Sequence, residues 1–280
     1  MEMITYVDLH THTTASDGVH TPTDNVRLAL AAGLAAVAIT DHDTVSGIDE
    51  ALQEGERIGI HVVPGVEIST VDRGVDVHIL GYYMDDKDPL FNQRLAQLRD
   101  TRNIRNKLVL NRLNELGIRI TMEEVNERLI HQKSKDQSLG RPHIADVLIA
   151  RGIVNTVAEA FKLYLGQGGA AYVNPPRITP REAIDWIREA GGKAVLAHPG
   201  LYNNEAIVLD IIGYGIDGIE TYHSDHNGEQ RKHYYDLAVQ HGLIITAGSD
   251  FHGIKAGVTY HGEIGAERIS TQVLQLLKER

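Results

Sequence analysis

Short apolar runs rich in Val and Ile alternate along most of the chain with stretches in which apolar residues return every three or four positions. Runs of four to eight such residues suit strands, and a period near 3.6 suits amphipathic helices. Strands are therefore expected near 3–9, 35–40, 60–68, 76–82, 193–197, 216–220 and 243–247, in the βα alternation that builds a parallel sheet. Thr21-Pro22 starts a helix that stops at Gly33, with proline at the first helical position and glycine past the end. Ser46 opens the next, to about Ile58. Thr179-Pro180 with Glu182 forms a capping box for a helix to about Ala190, and further helices fit 203–212, 228–240 and 271–280.

From about Asp88 to Val173 the strand signals vanish. Leu95, Leu98, Ile104, Leu108, Leu113 and Leu116 suit the buried stripe of one long amphipathic helix, while Thr121 with Glu124 and Thr156 with Glu159 resemble capping boxes of two more. Residues 88–173 are thus expected to be an all-helical insertion into a barrel domain made of 1–87 and 174–280. Within it, the polar segment 132–140 reads as a mobile loop carrying the solvated charges Lys133 and Lys135. Pro142 restricts Arg141 before the next helix, and Gly166 to Gly169 with Asn174-Pro175-Pro176 lead back to the barrel.

Composition narrows the function. At 280 residues and 42% hydrophobic, the chain can bury a large core. It has no apolar run of about 18 residues that could span a bilayer. Met1 to Tyr6 lack the basic-then-apolar pattern of a secretory signal, so a cytoplasmic protein without membrane association is expected. No obligate protein partner is implied. A net charge of −11 argues against a basic surface for long nucleic acid. With no cysteine, metal binding would fall to imidazole and carboxylate, which suit Mn, Fe or Zn.

Such groups are conspicuous. His10 and His12, Asp17, His42, Glu67, His78, His198, and Asp250 with His252 each follow or end a short apolar run. A His-x-His pair alone is weak evidence, and Asp17 in Ser16-Asp17-Gly18 is ordinary turn chemistry. Yet these groups cluster near the C-terminal ends of expected strands, the face on which βα barrels gather their active sites. Nine ligands exceed what one ion needs and suit two or three divalent ions, a kind of cluster that usually performs hydrolysis.

The segments YVDLHTHTTASDG, AITDHDT, PGVEIS, HILGY, LAHPG and GSDFHG resemble, in order and spacing, the motifs of the polymerase and histidinol phosphatase (PHP) superfamily of metal-dependent phosphoesterases. GRPHIADVLIARG and PREAIDWIREAGGKAVLAHPG resemble its nucleoside 3′,5′-bisphosphate phosphatases and 5′→3′ exoribonucleases. The resemblance implies a distorted (β/α)7 barrel with a trinuclear site. His10, His12, Glu67 and Asp250 would hold one ion, Glu67 would bridge to a second on His78 and His198, and Asp17, His42 and His252 would hold the third.

Around this set, Asp41 is expected to orient ligand imidazoles and to join Glu67 and Asp250 as a catalytic carboxylate, while Asp43 is left open. Arg141, His143, Arg177 and His223 are the expected substrate contacts. Glu220 reads as either a support for the ligands or a strand-end contact. His20, His61, His131, His241 and His261 show no partner pattern. The expected reaction is hydrolysis of a small nucleotide phosphomonoester, a nucleoside 3′,5′-bisphosphate giving the 5′-monophosphate, with short single-stranded RNA read from its 5′ end through the same cleft. The alternatives are a histidinol-phosphate-type phosphatase, which the large insertion disfavours, an amidohydrolase, for which no carboxylated lysine is evident, and a non-catalytic metal-stabilised scaffold.

Overall fold

The computed structural model describes residues 5–128, 136–255 and 258–279. His131, Lys133, Lys135 and the first part of the 132–140 segment lie outside these. Seven strands stand side by side in chain order: β1 (Tyr6–Asp8), β2 (Ala36–Ile39), β3 (His61–Asp72), β4 (Val75–Tyr82), β5 (Lys193–Leu196), β6 (Gly218–His223) and β7 (Ile244–Gly248). Past the end of β1, Leu9 N–H donates to Ala247 O at 3.0 Å and His12 N–H to Phe251 O at 2.9 Å, which joins the first strand to the last and closes the barrel. A short hairpin, β8 (Ile254–Lys255) with β9 (Val258–Thr259), follows, and β10 (Ile269–Ser270) pairs antiparallel with β1. The distorted (β/α)7 barrel expected from the sequence is present.

The distortion has a local cause. β4 runs antiparallel to both β3 and β5, against the expectation of a parallel sheet throughout. Only Arg73 and Gly74 connect β3 to β4, both with positive φ (49° and 78°). Parallel neighbours need a crossover of a dozen residues or more, whereas two residues with φ above zero make a hairpin turn.

α1 (Pro22–Ala31) begins at the Thr21 cap, and α2 (Ile48–Ile58) at Gly47 without a side-chain cap, so Ser46 does not start it. The helical stretch between β4 and β5 opens with α3 (Pro89–Glu115), capped by Asp88. Its first half sends Phe91, Leu95 and Leu98 into the barrel-side core with Ile79, Ile184 and Ile187. Its second half sends Val109, Leu110 and Leu113 into a separate core with Ile144, Leu148 and Leu165. Between them the expected stripe fails: Ile104, Leu108 and Leu116 are exposed, and Arg102, Arg105 and Asn106 are buried.

α4 (Met122–Glu127) carries the full Thr121–Glu124 capping box. α5 (Arg141–Ala150) already includes Arg141, with Pro142 in its first turn. α6 (Val157–Ala160) is capped by Thr156, but Glu159 accepts from Asn155 N–H and so makes no box there; a π-helical turn, Phe161–Leu165, completes it. α7 (Pro180–Glu189), α8 (Glu205–Gly213), α9 (Gly228–His241) and α10 (Val273–Lys278) fall where the sequence expects helices. Among the described residues no helix is long and apolar enough to cross a membrane.

Candidate metal centre

All nine singled-out residues converge on one end of the barrel. His10 Nε2 and His12 Nε2 lie 3.1 Å apart, and each faces the same two carboxylate oxygens: Glu67 Oε2 at 3.5 and 3.3 Å, and Asp250 Oδ1 at 3.3 and 3.1 Å. A tetrahedral ion with bonds of 2.0–2.1 Å has ligand–ligand edges of about 3.3–3.4 Å. His10, His12 and Glu67 thus offer three donors at spacings that suit one divalent ion, with Asp250 Oδ1 facing both imidazoles.

Glu67 reaches further. Its Oε1 lies 2.8 Å from His78 Nδ1 and 2.9 Å from His198 Nε2, so the two oxygens of one carboxylate face two sets of histidines. A third group brings Asp17, His42 and His252 together with His12, the closest approach being Asp17 Oδ1 to His252 Nε2 at 3.3 Å. His42 is shared, since its Nδ1 also stands 2.9 Å from Glu67 Oε2. Despite these short approaches, Asp17 Oδ1, Asp250 Oδ1 and His42 Nδ1 are buried and form no well-aligned hydrogen bond among the described residues. Buried polar atoms normally find a partner, and a cation would supply it here.

For His10 and His252 the other ring nitrogen is occupied in a way that turns a lone pair inward. A carboxylate or carbonyl oxygen only accepts, so the ring nitrogen facing it carries the proton. His10 Nδ1 donates to Glu220 Oε1 at 3.0 Å and His252 Nδ1 to the Asp250 carbonyl at 2.8 Å, leaving both Nε2 atoms free to ligate. Ser16 Oγ donates to Asp41 Oδ1 at 2.5 Å, and lies 3.4 Å from His12 Nδ1. Asp41 thus acts on His12 through a serine, not directly, and its other bonds, from Thr13 N–H and Oγ, pin the turn that carries Asp17.

Electrostatics agree with the geometry. Burial would raise the carboxyls of Asp17, Glu67 and Asp250, but the facing imidazoles outweigh it and hold all three well below the usual range. Burial likewise opposes charging of His12, yet Asp250 and Glu67 lift it to about 10. The cluster demands positive charge. His198 (φ 24°) and Asp250 (φ 54°) hold backbone conformations that non-glycine residues rarely adopt, strain of a kind that gathers at functional sites.

The PHP domain family matches residues 8–192, well over half the chain. The chain belongs to this family. It is 39% identical over 252 residues to the 5′-3′ exoribonuclease Rnm of Escherichia coli, covering 88% of this chain and 84% of that one. To the 3′,5′-nucleoside bisphosphate phosphatase of Chromobacterium violaceum it is 33% identical over 254 residues, covering 88% and 87%. Its structure superposes with a TM-score of 0.88 on a protein of Bifidobacterium adolescentis described as a metal-dependent phosphoesterase, 33% identical and covering 97% and 94% of the two chains. As a PHP protein it is a metal-dependent phosphoesterase, a hydrolase of phosphoester bonds.

Helices α3 and α5 add a basic wall to the PHP centre. A cavity of about 150 Å³ is lined by seven of the nine candidate ligands together with Ser69, Arg102, Arg105, Arg141, Pro142, Phe161, Leu201, Tyr260 and His261. Arg102 donates to Asp43 and Ser69, which gives Asp43 its role. Arg141 donates to Asp76 Oδ2 at 2.7 Å and lies over the rings of Phe161 and Tyr172. Arg105 is buried with its Nε unpartnered. Burial, then repulsion from Arg141, Arg102 and Arg177, pushes its guanidinium well below its usual value. An arginine cannot discharge, so this one calls for an anion.

Other expected contacts are placed differently. Arg177 is not among the cavity's lining residues; its guanidinium goes to Asp76 and Asn174. His143 Nδ1 accepts from Gly140 N–H at 3.0 Å and helps start α5. His223 accepts from Asp225 N–H through Nδ1, so its Nε2 donates toward Asp250 Oδ2 at 3.3 Å, supporting a candidate ligand from behind. His226 is satisfied at both nitrogens by Thr221 O and Gly200 N–H. His261, for which no partner was expected, lines the cavity with Nδ1 2.5 Å from Asp225 Oδ2 and Nε2 3.5 Å from Asp250 Oδ2.

Proposed function

We propose that the enzyme hydrolyses nucleotides carrying two phosphates, one set against the His–carboxylate cluster and the other against Arg105 and Arg141. A nucleoside 3′,5′-bisphosphate would give the 5′-monophosphate, and short single-stranded RNA entering 5′ end first would release mononucleotides. The observation that carries this reading is Arg105, a buried cation with an unpartnered nitrogen, lining the same cavity as the carboxylate cluster. Two sites of opposite demand suit a substrate with a metal-seeking phosphate and a second, arginine-seeking one. The E. coli relative is named a 5′-3′ exoribonuclease and the C. violaceum relative a bisphosphate phosphatase, and both reactions fit such a cleft.

Three divalent ions, of Mn, Fe or Zn, would be held by His10, His12, Glu67 and Asp250; by Glu67, His78 and His198; and by Asp17, His42 and His252. When bound, such ions acidify water and screen the phosphoryl oxygens during displacement. The protein contributes the rest. Glu67 spans the ion sites and sets their separation, Asp250 and Asp41 hold the ligands in register, and Arg105 and Arg141 orient the substrate by its non-scissile phosphate. Residues 88–173 serve as the subdomain that caps the cleft and brings in that basic wall.

Phosphate release from adenosine 3′,5′-bisphosphate with Mn²⁺, beside release of mononucleotides from a 5′-phosphorylated oligoribonucleotide, tests the assignment. Turnover of either substrate above a His10→Ala control is expected. No turnover of either, with p-nitrophenyl phosphate still cleaved, would refute the two-phosphate substrate and leave the phosphoesterase class standing.

A further inference from the structure

Glu220 lies on β6, and none of the roles assigned above uses it as more than a partner of His10. It is fully buried. A buried carboxylate is costly unless both oxygens are satisfied, and here each goes to a different candidate ligand. Oε1 accepts from His10 Nδ1 at 3.0 Å, and Oε2 accepts from the backbone N–H of His198 at 2.8 Å. The first bond fixes the tautomer and direction of the His10 ring. The second holds the residue whose φ of 24° aims the His198 ring at Glu67.

The surroundings are shaped to this side chain. The register of β6 against β7 shifts between Glu220 and Tyr222, a bulge of the kind that re-aims side chains beside active sites. Across from it, a Cβ on Gly248 would stand 2.6 Å from Glu220 Oε1 and collide with the Cβ of His10. Only glycine leaves room there for the carboxylate–imidazole pair.

We infer that Glu220 is a positioning residue that couples two ion sites, because one carboxylate sets the His10 ligand of the first and the His198 ligand of the second. Loading of the two sites is therefore linked through a side chain that touches neither ion. This rests on the metal-binding reading of the cluster.

The test is calorimetric titration of metal-free protein with MnCl₂, paired with thermal melts of the metal-free form. For Glu220→Gln the amide cannot accept at both positions, so Mn²⁺ affinity should fall by about 10- to 100-fold, for more than one equivalent of ion. The metal-free melting temperature should fall modestly, since one buried donor loses its acceptor, and excess Mn²⁺ should restore kcat. Glu220→Asp, which keeps the charge but is too short to reach both partners, should also bind Mn²⁺ more weakly and serves if the glutamine variant does not fold. Unchanged affinity in both variants, or a lower metal-free melting temperature with unchanged affinity, would reduce Glu220 to a structural role. Wild-type protein that takes up no Mn²⁺ would overturn the metal reading itself.

Discussion

At the scale of single residues, the site is organised by what stands behind each ligand. His10 and His252 have their outer nitrogens tied to oxygen acceptors, so their inner nitrogens carry lone pairs. Arg105 is the opposite case, a buried guanidinium whose Nε has no hydrogen-bond partner among the described residues. Its replacement by Ala should raise KM for a 3′,5′-bisphosphate roughly 10- to 100-fold, the worth of a charged hydrogen bond, and leave p-nitrophenyl phosphate turnover nearly unchanged. Steady-state kinetics on both substrates decides it, and an equal loss on the two would place Arg105 in the fold instead of the substrate site. The nine candidate ligands were legible because histidine and carboxylate recur where strands end. Arg102 and Arg105 were not, because arginines on a long helix read as its solvent face and only their burial distinguishes them.

At the scale of elements, α3 explains that failure. Its middle turns a polar face inward toward the cavity, so Ile104 and Leu108 are left outside. Apolar periodicity assumes that what is buried is apolar, and a helix lining an anion site breaks that assumption. The seam between the helical stretch and the barrel depends on Asp76 of β4, which receives Arg141 of α5 and Arg177 of the return segment. Burial works against its charge, but the two guanidiniums hold the carboxyl well below the usual range. A carboxyl depressed in the folded state stabilises at pH above its unfolded value of about 4, and that contribution is lost as pH falls through the folded value. Asp76→Asn should therefore cost about 2 kcal/mol near neutrality. Urea midpoints across the range should show the deficit shrinking below about pH 4. Amide exchange should speed up in α5 of the variant, and no change there would mean that other contacts hold the helical stretch.

At the scale of the whole molecule, closing the barrel concentrates three carboxylates, Asp17, Glu67 and Asp250, in one buried cluster, and metal loading should answer that excess. Mn²⁺ at about 100 times its dissociation constant adds roughly 2.7 kcal/mol to stability. For a chain of this size that is about 5 °C in melting temperature, reversed by EDTA. Scanning calorimetry with and without Mn²⁺ checks it, and identical transitions would argue against ions as part of the fold. The seven barrel strands, most of the helix starts, the helical stretch between β4 and β5 and the identity of the candidate ligands were readable from local sequence, because strand period, caps and side-chain chemistry are local properties. Tertiary structure alone decided the reversed β4, the inward arginines of α3, the tautomers set by Glu220 and Asp250, and which oxygen of Glu67 faces which histidine. Each of these depends on the distance between groups far apart in the chain, and that distance exists only once the barrel has closed.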